Sequence, residues 1–258
     1  MITITNLHKR YGEKTVLSGI DTCFPSQCLT SLIGPNGAGK STLLMLMARL
    51  LEASQGDIRL DGESISGIRT SDYAKRVATL RQSPDFNLRL RVEELVAFGR
   101  FPYSRGMLTN EDRSIIDEAI EFLSLGPLRH AYVDELSGGQ RQMAFLAMTI
   151  AQQTECLLLD EPLNNLDMRH AVQIMRALRR LCDDHGRTVV TVIHDINFAA
   201  NYSDRVVAMK EGEIHSSGTV DDVVTEEGLR DLYALDFEII SNGSGRLCNY
   251  FTAKGEMI

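Results

Sequence analysis

The chain has 258 residues, of which 43% are hydrophobic and 24% charged, a composition typical of globular proteins. Its 27 basic and 35 acidic residues give a formal net charge of −8 at pH 7, which argues against a nucleic-acid-binding surface. No run of about 18 apolar residues is present, so we expect no membrane-spanning helix, and the first residues show no signal-peptide pattern. The five cysteines form no Cys-x-x-Cys pair, which favours reduced thiols over disulfides or a zinc site.

Two N-terminal segments are predicted to be strands of one sheet. Residues 1–7 alternate polar and apolar side chains, and residues 15–24 are rich in strand-forming residue types. Tyr11 lies on the turn between them, a little upstream of a glycine-rich loop. Spacing alone leaves two interpretations of Tyr11 open: its ring stacks on a nucleobase, or it covers apolar surface.

The glycine-rich loop is the stretch Gly34-Pro35-Asn36-Gly37-Ala38-Gly39-Lys40-Ser41, which fits the pattern G-x-x-x-x-G-K-[ST]. A strand-like apolar run precedes it, and leucines and methionines at helical spacing follow it. This context predicts a phosphate-binding loop, because glycines let successive N–H groups face phosphate oxygens and a helix N-terminus favours anions. We expect Lys40 to reach the β and γ phosphates, Ser41 to help hold Mg²⁺, and the nucleotide-binding residues to extend to Thr42.

A helical insertion is predicted over about residues 83–154. Before it, residues 57–65 are typical of a hairpin and residues 77–80 of a short strand. Within it, Thr109 and Asp112 have the spacing of a capping box in front of an apolar helical face.

Near the end of the insertion, the motif Ser137-Gly138-Gly139-Gln140 is predicted to begin a helix. Ser137 is a suitable N-cap, and the two glycines leave backbone N–H groups open to an anion. Such a motif is more often an ordinary helix cap, so its meaning depends on the segments that follow.

Two acidic residues follow the next predicted strand. Residues 156–159 are all apolar, as expected for a strand buried on both faces of a parallel sheet, and Asp160 and Glu161 come directly after them. Because ligands bind at the carboxyl ends of such strands, Asp160 is placed to hold Mg²⁺ and Glu161 to orient or deprotonate a water. The alternative, two acids in a surface turn, does not explain the apolar residues that lead to them.

A neighbouring strand is predicted over residues 188–193, and His194 follows it. A lone histidine is usually structural, but one at the carboxyl end of a core strand beside the acidic one can contact a γ-phosphate. The segments after it, a hairpin over residues 205–217, a helix over 225–235 and a final strand pair, carry no chemical signature.

Taken together, these motifs resemble the ATP-binding subunit of an ABC transporter over nearly the whole chain. The glycine-rich loop resembles its Walker A loop, and residues 156–160 resemble its Walker B strand. The remaining matches are the catalytic glutamate at Glu161, the Q-loop glutamine at Gln82, the signature motif at Leu136 to Gln140, the D-loop aspartate at Asp167, the switch histidine at His194 and the adenine-stacking aromatic at Tyr11. The resemblance favours nucleobase stacking for Tyr11.

The resemblance implies an α/β fold with a P-loop NTPase (RecA-like) core, an antiparallel β subdomain and an inserted α-helical subdomain. We predict a single domain over residues 1–258. Residues 1–82 and 155–258 would form the core with the β subdomain and a C-terminal extension, and residues 83–154 the helical signature subdomain.

The resemblance also implies how ATP and Mg²⁺ are used. Ser41, Gln82 and Asp160 would hold the metal, and Gln82, Glu161 and His194 would act in catalysis. In this family two copies pair head to tail, so that each ATP lies between one Walker A loop and the partner's signature motif. This pairing would explain why the chain has two helix N-termini suited to an anion, at Gly39 and at Ser137, but only one strand that ends in a predicted metal ligand, Asp160. The signature motif, with Asp167, would then contact the nucleotide of the partner.

A finer match concerns the branch of the family. Residues 92–103 resemble the helical segment of ATPases that serve iron–siderophore, haem and vitamin B12 importers, and residues 161–167 and 194–200 favour the siderophore branch. Asn164 with Asn165, and Met143, depart from the commoner residues at their positions. These departures touch no catalytic role, but they make the assignment within the branch less sharp.

We therefore expect an energy-coupling ATPase at the cytoplasmic face of the membrane, peripheral and without a nucleic-acid partner. Its partners would be a second copy of itself, integral membrane permease subunits and, indirectly, a substrate-binding protein. Gln82 and the surface of Arg100, Phe101 and Tyr103 would meet the permease. Two alternatives are open: a non-transport relative such as an iron–sulfur cluster assembly scaffold, and an importer ATPase for haem or vitamin B12.

Overall fold

The computed structural model describes residues 1–81, 89–243 and 245–251. Within these ranges no helix is long and apolar enough to cross a membrane. In chain order the strands are β1 (Ile2–Tyr11), β2 (Lys14–Phe24), β3 (Leu29–Ile33), β4 (Gln55–Leu60), β5 (Glu63–Ser64), β6 (Val77–Leu80), β7 (Cys156–Asp160), β8 (Thr188–Val192), β9 (Arg205–Lys210), β10 (Glu213–Thr219), β11 (Glu238–Asn242) and β12 (Gly245–Asn249). The α-helices are α1 (Lys40–Met47), α2 (Thr70–Tyr73), α3 (Val92–Ala97), α4 (Phe101–Ser104), α5 (Asn110–Phe122), α6 (Gly138–Ala151), α7 (Met168–Asp183), α8 (Ile196–Tyr202), α9 (Val220–Val223) and α10 (Glu226–Tyr233).

The central sheet has the strand order β10–β9–β3–β8–β7–β6, in which β9, β3, β8, β7 and β6 are parallel and β10 is antiparallel to β9. Every residue of β3, β7 and β8 is buried, as expected for strands covered on both faces. Because these three strands are parallel neighbours, their carboxyl ends meet at one edge of the sheet. The α/β fold predicted from the sequence is confirmed.

A second sheet, with the order β2–β1–β4–β5, covers helix α1. Its inward side chains, such as Leu7 and Ile20, belong to the same hydrophobic cluster as Leu43 and Met47 of α1. Both N-terminal strands extend beyond the sequence prediction, and Tyr11 is the last residue of β1. The pairing of β1 with β2 has several register shifts, which change the face that successive side chains occupy. The alternation visible in residues 1–7 therefore does not continue, although the strand does.

Helices α3, α5 and α6 pack together around a hydrophobic cluster that continues onto β7 and α7. The predicted boundary at residues 82–83 lies outside the described residues. At the other end of this helical unit, α6 finishes at Ala151 and β7 begins at Cys156.

A third hydrophobic cluster holds the C-terminal part of the chain to the central sheet. Leu229 and Leu232 of α10 lie in this cluster with Phe237, with Cys248 of β12 and with Ile33, the last residue of β3. Helix α10 therefore packs directly beside the strand that leads into the glycine-rich loop.

Arg100 is buried, contrary to the surface role expected from the sequence. Its side chain is 6% exposed; Nε donates to Oδ1 of Asp112 at 2.8 Å, and Nη1 donates to the carbonyl of Ala151 at 2.9 Å. Arg100 thus joins the segment before α4 to α5 and to the end of α6. The expectation for Arg100 was wrong, whereas Phe101 and Tyr103 are exposed as expected.

We expect Arg100→Met to lower the free energy of unfolding by about 3–5 kcal/mol, because it leaves the Asp112 carboxylate buried without its partner. The measurement is urea-induced unfolding. A matched control is Arg113→Met, which removes an exposed arginine from α5 and should change stability by less than about 0.5 kcal/mol. Equal losses in the two variants would contradict the structural role of the ion pair.

The same variant should change how stability depends on pH. The Thr109 backbone N–H, followed by the Arg100 guanidinium, lowers the pKa of Asp112 to about 2. Because this pKa is depressed in the folded state, the stabilisation is present above about pH 4 and is lost as pH falls towards the folded value. Arg100→Met should reduce this loss on the acid side.

Candidate active site

The glycine-rich loop, residues Gly34 to Ser41, connects β3 to α1 at the carboxyl edge of the central sheet. Two of its glycines have no room for a side chain. Gly34 has φ +139°, and a Cβ there would lie 2.0 Å from the carbonyl oxygen of Met209. Gly39 has φ +97°, and a Cβ there would lie 2.5 Å from Cδ2 of Leu17. The loop is therefore folded tightly against both β9 and β2, as a phosphate-binding loop requires.

Lys40 points into the loop rather than into solvent. It is 5% exposed, and its Nζ donates to the carbonyl oxygens of Gly34 at 2.8 Å and Pro35 at 2.9 Å. Burial lowers the pKa of Lys40, while Glu161 and Asp160 oppose the shift. Carbonyl groups compensate an ammonium charge only in part, so an anion within reach of Nζ would stabilise it further.

Ser41 and Asp160 meet between the start of α1 and the end of β7. The Ser41 hydroxyl donates to Oδ1 of Asp160 at 2.8 Å. Asp160 is buried, and this burial raises the pKa of its carboxyl group despite the hydrogen bond from Ser41. A hydroxyl and a carboxylate placed together in this way are oxygen ligands of the kind that Mg²⁺ accepts.

Glu161 lies one residue beyond β7, with φ +50°, a left-handed conformation that is uncommon for a residue with a side chain. Its Oε1 is 2.7 Å from Nε2 of His194, and its Oε2 accepts a hydrogen bond from Nδ2 of Asn164 at 3.2 Å. Two neighbouring side chains therefore fix the direction of this carboxylate.

Lys40, Ser41, Glu161 and His194 face one cavity of about 440 Å³, and Asp160 is hydrogen-bonded to Ser41 in its wall. Residues 36–41 of the phosphate loop form one wall, and the rest of the lining consists of Thr42, Glu161, His194, Glu211 and the first residues of β2. The volume is within the range of small-molecule sites, about 300–1,000 Å³. Residues that are more than a hundred positions apart in the chain are thus brought together as the sequence predicts, although their roles stay predictions.

Tyr11 lies at the margin of this arrangement. It is half-exposed and pairs in register with Lys14, which lines the cavity, and Nζ of Lys9 is 4.8 Å from the centre of its ring. The stacking role of Tyr11 stays a prediction, and Gln82 lies outside the described residues.

The signature motif lies away from the cavity of its own chain: none of Ser137, Gly138, Gly139 and Gln140 is among the described residues that line it. Ser137 caps α6, because its hydroxyl accepts the N–H of Gln140 and its own N–H donates to the Gln140 side chain. The predicted N-cap is therefore confirmed.

Sequence reasoning missed His170, which connects the signature motif to the segment around Asp167. Asp167 caps α7 by accepting the N–H of His170 at 2.9 Å, and its other carboxylate oxygen is 2.8 Å from Nδ1 of the same residue. The His170 ring lies against Gly139, where a Cβ would be 2.4 Å from Cγ of the imidazole. The sequence signal was the position of His170 three residues after Asp167, the N-cap of α7, because a cap residue contacts the residue at that spacing.

A sequence profile described as "ABC transporter" matches residues 17–164, more than half of the chain. The chain belongs to the ABC transporter family. Among solved structures, this ABC transporter protein is similar to the dimeric, post-hydrolysis state of the ATP-binding cassette MJ0796 bound to ADP and Pi (TM-score 0.76, 27% identity, covering 85% of this chain and 99% of that one). It also shares its fold with the ADP conformation of the cassette MJ1267 (TM-score 0.81, 22% identity, covering 91% and 98%).

Similar proteins extend over nearly the full length of the chain. It is 49% identical to the petrobactin import ATP-binding protein FatE of Bacillus anthracis, over 97% of this chain and 100% of FatE. It is 45% identical to the petrobactin import ATP-binding protein YclP of Bacillus subtilis (strain 168), over 98% and 100%. It is 37% identical to the ferric enterobactin transport ATP-binding protein FepC of Escherichia coli (strain K12), over 90% and 86%. The predicted family, ATP as its nucleotide, and ATP hydrolysis coupled to transport are confirmed.

We expect Asp160→Asn to raise the free energy of unfolding of the nucleotide-free protein. Because burial raises the pKa of this carboxyl group, its favourable contribution to folding is lost as pH rises through the folded pKa, and the charged form is destabilising at pH 7. Asparagine keeps an acceptor for Ser41 without the charge. At a concentration of a hundred times the wild-type Kd, ATP with Mg²⁺ should stabilise the wild type by about 2.7 kcal/mol. The same concentration should stabilise the variant by clearly less.

The measurement is thermal unfolding at pH 7 with and without ATP and Mg²⁺. The matched control is Asp61→Asn, since the N-terminal amine of Met1 lowers the pKa of Asp61 and loss of that charge should destabilise the protein. Destabilisation of the nucleotide-free protein by both substitutions would contradict the interpretation of Asp160.

Proposed function

We propose that this ABC transporter protein hydrolyses ATP to drive an importer of ferric siderophores. The observation that carries the proposal is the convergence of Lys40, Ser41, Glu161 and His194 around one cavity at the carboxyl ends of three parallel strands. Asp160 joins this group through its hydrogen bond from Ser41. Support for the imported substrate comes from the relatives named for petrobactin and ferric enterobactin, which match this chain over 97% and 90% of its length.

In the proposed mechanism the triphosphate of ATP lies along the phosphate loop, and Tyr11 stacks on the adenine. Lys40 exchanges its hydrogen bonds to the carbonyls of Gly34 and Pro35 for phosphate oxygens, whose negative charge offsets the cost of burying the ammonium. The N-terminus of α1 adds the positive end of its dipole at the same point.

Ser41 and Asp160 would hold Mg²⁺, together with Gln82, which lies outside the described residues. These residues suit the ion because the Ser41 hydroxyl contacts the Asp160 carboxylate, which is buried beside the phosphate loop. When bound, the ion would neutralise negative charge on the phosphates during transfer.

Glu161 is the proposed general base. His194 and Asn164 hold its carboxylate on the cavity side of β7, where it accepts a proton from the water that attacks the γ-phosphate. His194 faces the same cavity and is proposed to contact the γ-phosphate directly. Glu161 would thus accept the proton and His194 would contact the phosphate, and the contact between the two side chains orients both.

A second copy of the chain is proposed to complete the site. The signature motif lies outside its own cavity, although its capped helix and two glycines are suited to an anion. Head-to-tail pairing would bring Ser137 to Gln140, with Asp167, to the nucleotide of the partner. The similar cassette MJ0796, bound to ADP and Pi, is dimeric.

The test of this proposal combines Glu161→Gln with a growth assay. The purified variant should bind ATP normally but lose hydrolysis about 10²–10⁴-fold, the contribution of a positioned base. Its mass in solution with ATP should be that of a dimer, and adding Ser137→Arg should return it to a monomer without changing ATP binding. Normal turnover in Glu161→Gln would place the base elsewhere.

In cells, deletion of this protein should stop growth on a ferric siderophore as sole iron source and leave growth on excess soluble iron normal. The wild type should restore growth and Glu161→Gln should not. If deletion left iron-chelate uptake unchanged but lowered the maturation of iron–sulfur enzymes, the scaffold alternative would replace the importer. A defect confined to haem or vitamin B12 uptake would change the proposed substrate.

We further propose that the protein lies at the cytoplasmic face of the membrane and meets its permease through the helical unit. A groove of about 370 Å³ between α3 and α5 is lined by three apolar residues, Ala97, Leu108 and Ile116, and by five charged ones. Phe101 and Met107, in the segment between these two helices, are exposed by 58% and 82%. Large exposed apolar side chains of this kind are suited to contact with another protein.

Phe101→Ser should weaken binding to the permease by about tenfold or more, the effect of losing an aromatic anchor, and leave ATP binding unchanged. Co-purification with the membrane subunits and siderophore uptake are the measurements. Leu247→Ser is the matched control, because Leu247 is also half-exposed but lies on the hairpin of β11 and β12. If both variants assembled equally well with the permease, this surface would not be the docking site.

A further inference from the structure

Tyr233, the last residue of α10, contacts the first residue of the phosphate loop. The backbone N–H of Gly34 donates a hydrogen bond to the Tyr233 hydroxyl at 3.1 Å. These two residues are 199 positions apart, and no motif in the sequence connects them. The contact joins the C-terminal part of the chain, which has no role in the mechanism above, to the residue at which β3 becomes the loop.

The position of Tyr233 is fixed by its surroundings. Leu229 and Leu232, on the same helix, are buried in one cluster with Ile33, which immediately precedes Gly34. The Lys210 side chain also donates to the carbonyl of Asp231, which ties α10 to the end of β9. The helix and the start of the loop are therefore held in one packed unit.

The ring of Tyr233 is supported from behind by a row of aromatic side chains. Its centre is 6.0 Å from that of Phe237, and the Phe237 ring is 5.7 Å from that of Tyr250. Burial raises the pKa of Tyr233 to about 12, so its hydroxyl is neutral at physiological pH. The group that accepts the Gly34 N–H is thus a phenol in a defined orientation.

The peptide groups of Gly34 are held on both sides. Tyr233 accepts its N–H, and Lys40 donates to its carbonyl oxygen at 2.8 Å. In the proposed mechanism Lys40 gives up this contact to reach the phosphates. The proposed mechanism uses no phosphate contact to the Gly34 N–H, so the Tyr233 hydrogen bond can persist when ATP is bound.

We propose that Tyr233 is a positioning residue for ATP binding, which holds the start of the phosphate loop in the conformation that receives the triphosphate. Tyr233 acts through the backbone of Gly34 and does not touch the reacting atoms. The inference rests on the proposed role of Gly34 to Ser41 as the phosphate loop. It assigns the C-terminal helix a function in setting nucleotide affinity.

Tyr233→Phe tests this role, because it removes the hydroxyl and keeps the ring and its packing. The Kd for ATP and the KM of the assembled transporter should rise about 3- to 10-fold, which corresponds to about 0.7–1.4 kcal/mol, while kcat at saturating ATP stays within about twofold. The matched control is Tyr250→Phe, which removes a hydroxyl from the same aromatic row at a residue that has no hydrogen bond to the loop in the described structure. Its Kd and KM should equal those of the wild type.

Amide hydrogen exchange of the full-length protein gives a second readout. The Gly34 amide should exchange faster in Tyr233→Phe than in the wild type or in Tyr250→Phe, with the central strands unchanged. A second variant, Phe237→Leu, weakens the support of the ring but keeps the hydroxyl. It should raise the Kd for ATP in the same direction by a smaller factor.

An unchanged Kd in Tyr233→Phe, or a fall in kcat with an unchanged KM, would overturn the proposal. Lys40→Ala separates this failure from a failure of the nucleotide site itself. If Lys40→Ala abolishes ATP binding while Tyr233→Phe binds normally, the site stands and the role of Tyr233 falls. If Lys40→Ala binds ATP as the wild type does, the assignment of the phosphate loop is wrong and the inference falls with it.

Discussion

Two opposite charges held out of water, on Lys40 and Asp160, are the constraint on which the site depends. Burial lowers the pKa of the first and raises the pKa of the second, so the charged form of each is disfavoured by its surroundings. Lys40 follows the loop after β3 and Asp160 is the last residue of β7, and both strands are covered on both faces. An anion beside Lys40 and a cation beside Asp160 would relieve both costs together, which is why we propose a metal–triphosphate complex as the ligand of this site.

The distribution of these groups is the basis for the proposal that a second copy of the chain completes the site. The phosphate loop, Glu161 and His194 surround one cavity, but none of the signature residues Ser137 to Gln140 is among the described residues that line it. The signature motif makes its own hydrogen bonds within the chain, since Ser137 and Gln140 cap one another. We therefore propose that association of two copies depends on the bound nucleotide.

Local patterns predicted much of this structure from the sequence. The phosphate loop, the apolar strands and the residues after them were all visible, because each depends on a short stretch of neighbouring residues. Arg100 was misjudged because an arginine after an amphipathic helix has the same pattern whether it is exposed or paired with Asp112, twelve residues away. Tyr233 gave no signal, since its partner is a backbone N–H that any residue other than proline would offer.

The contact between His170 and Gly139 has a mechanical consequence. The imidazole is held by Asp167 and occupies the space that a side chain at residue 139 would need, so the start of α6 is already in contact with α7 at this point. The two loops that would face a second copy are therefore spaced by a rigid ring rather than by a compressible cluster of aliphatic side chains. A displacement of either loop would therefore move the other loop as well, so both would change position together at the interface.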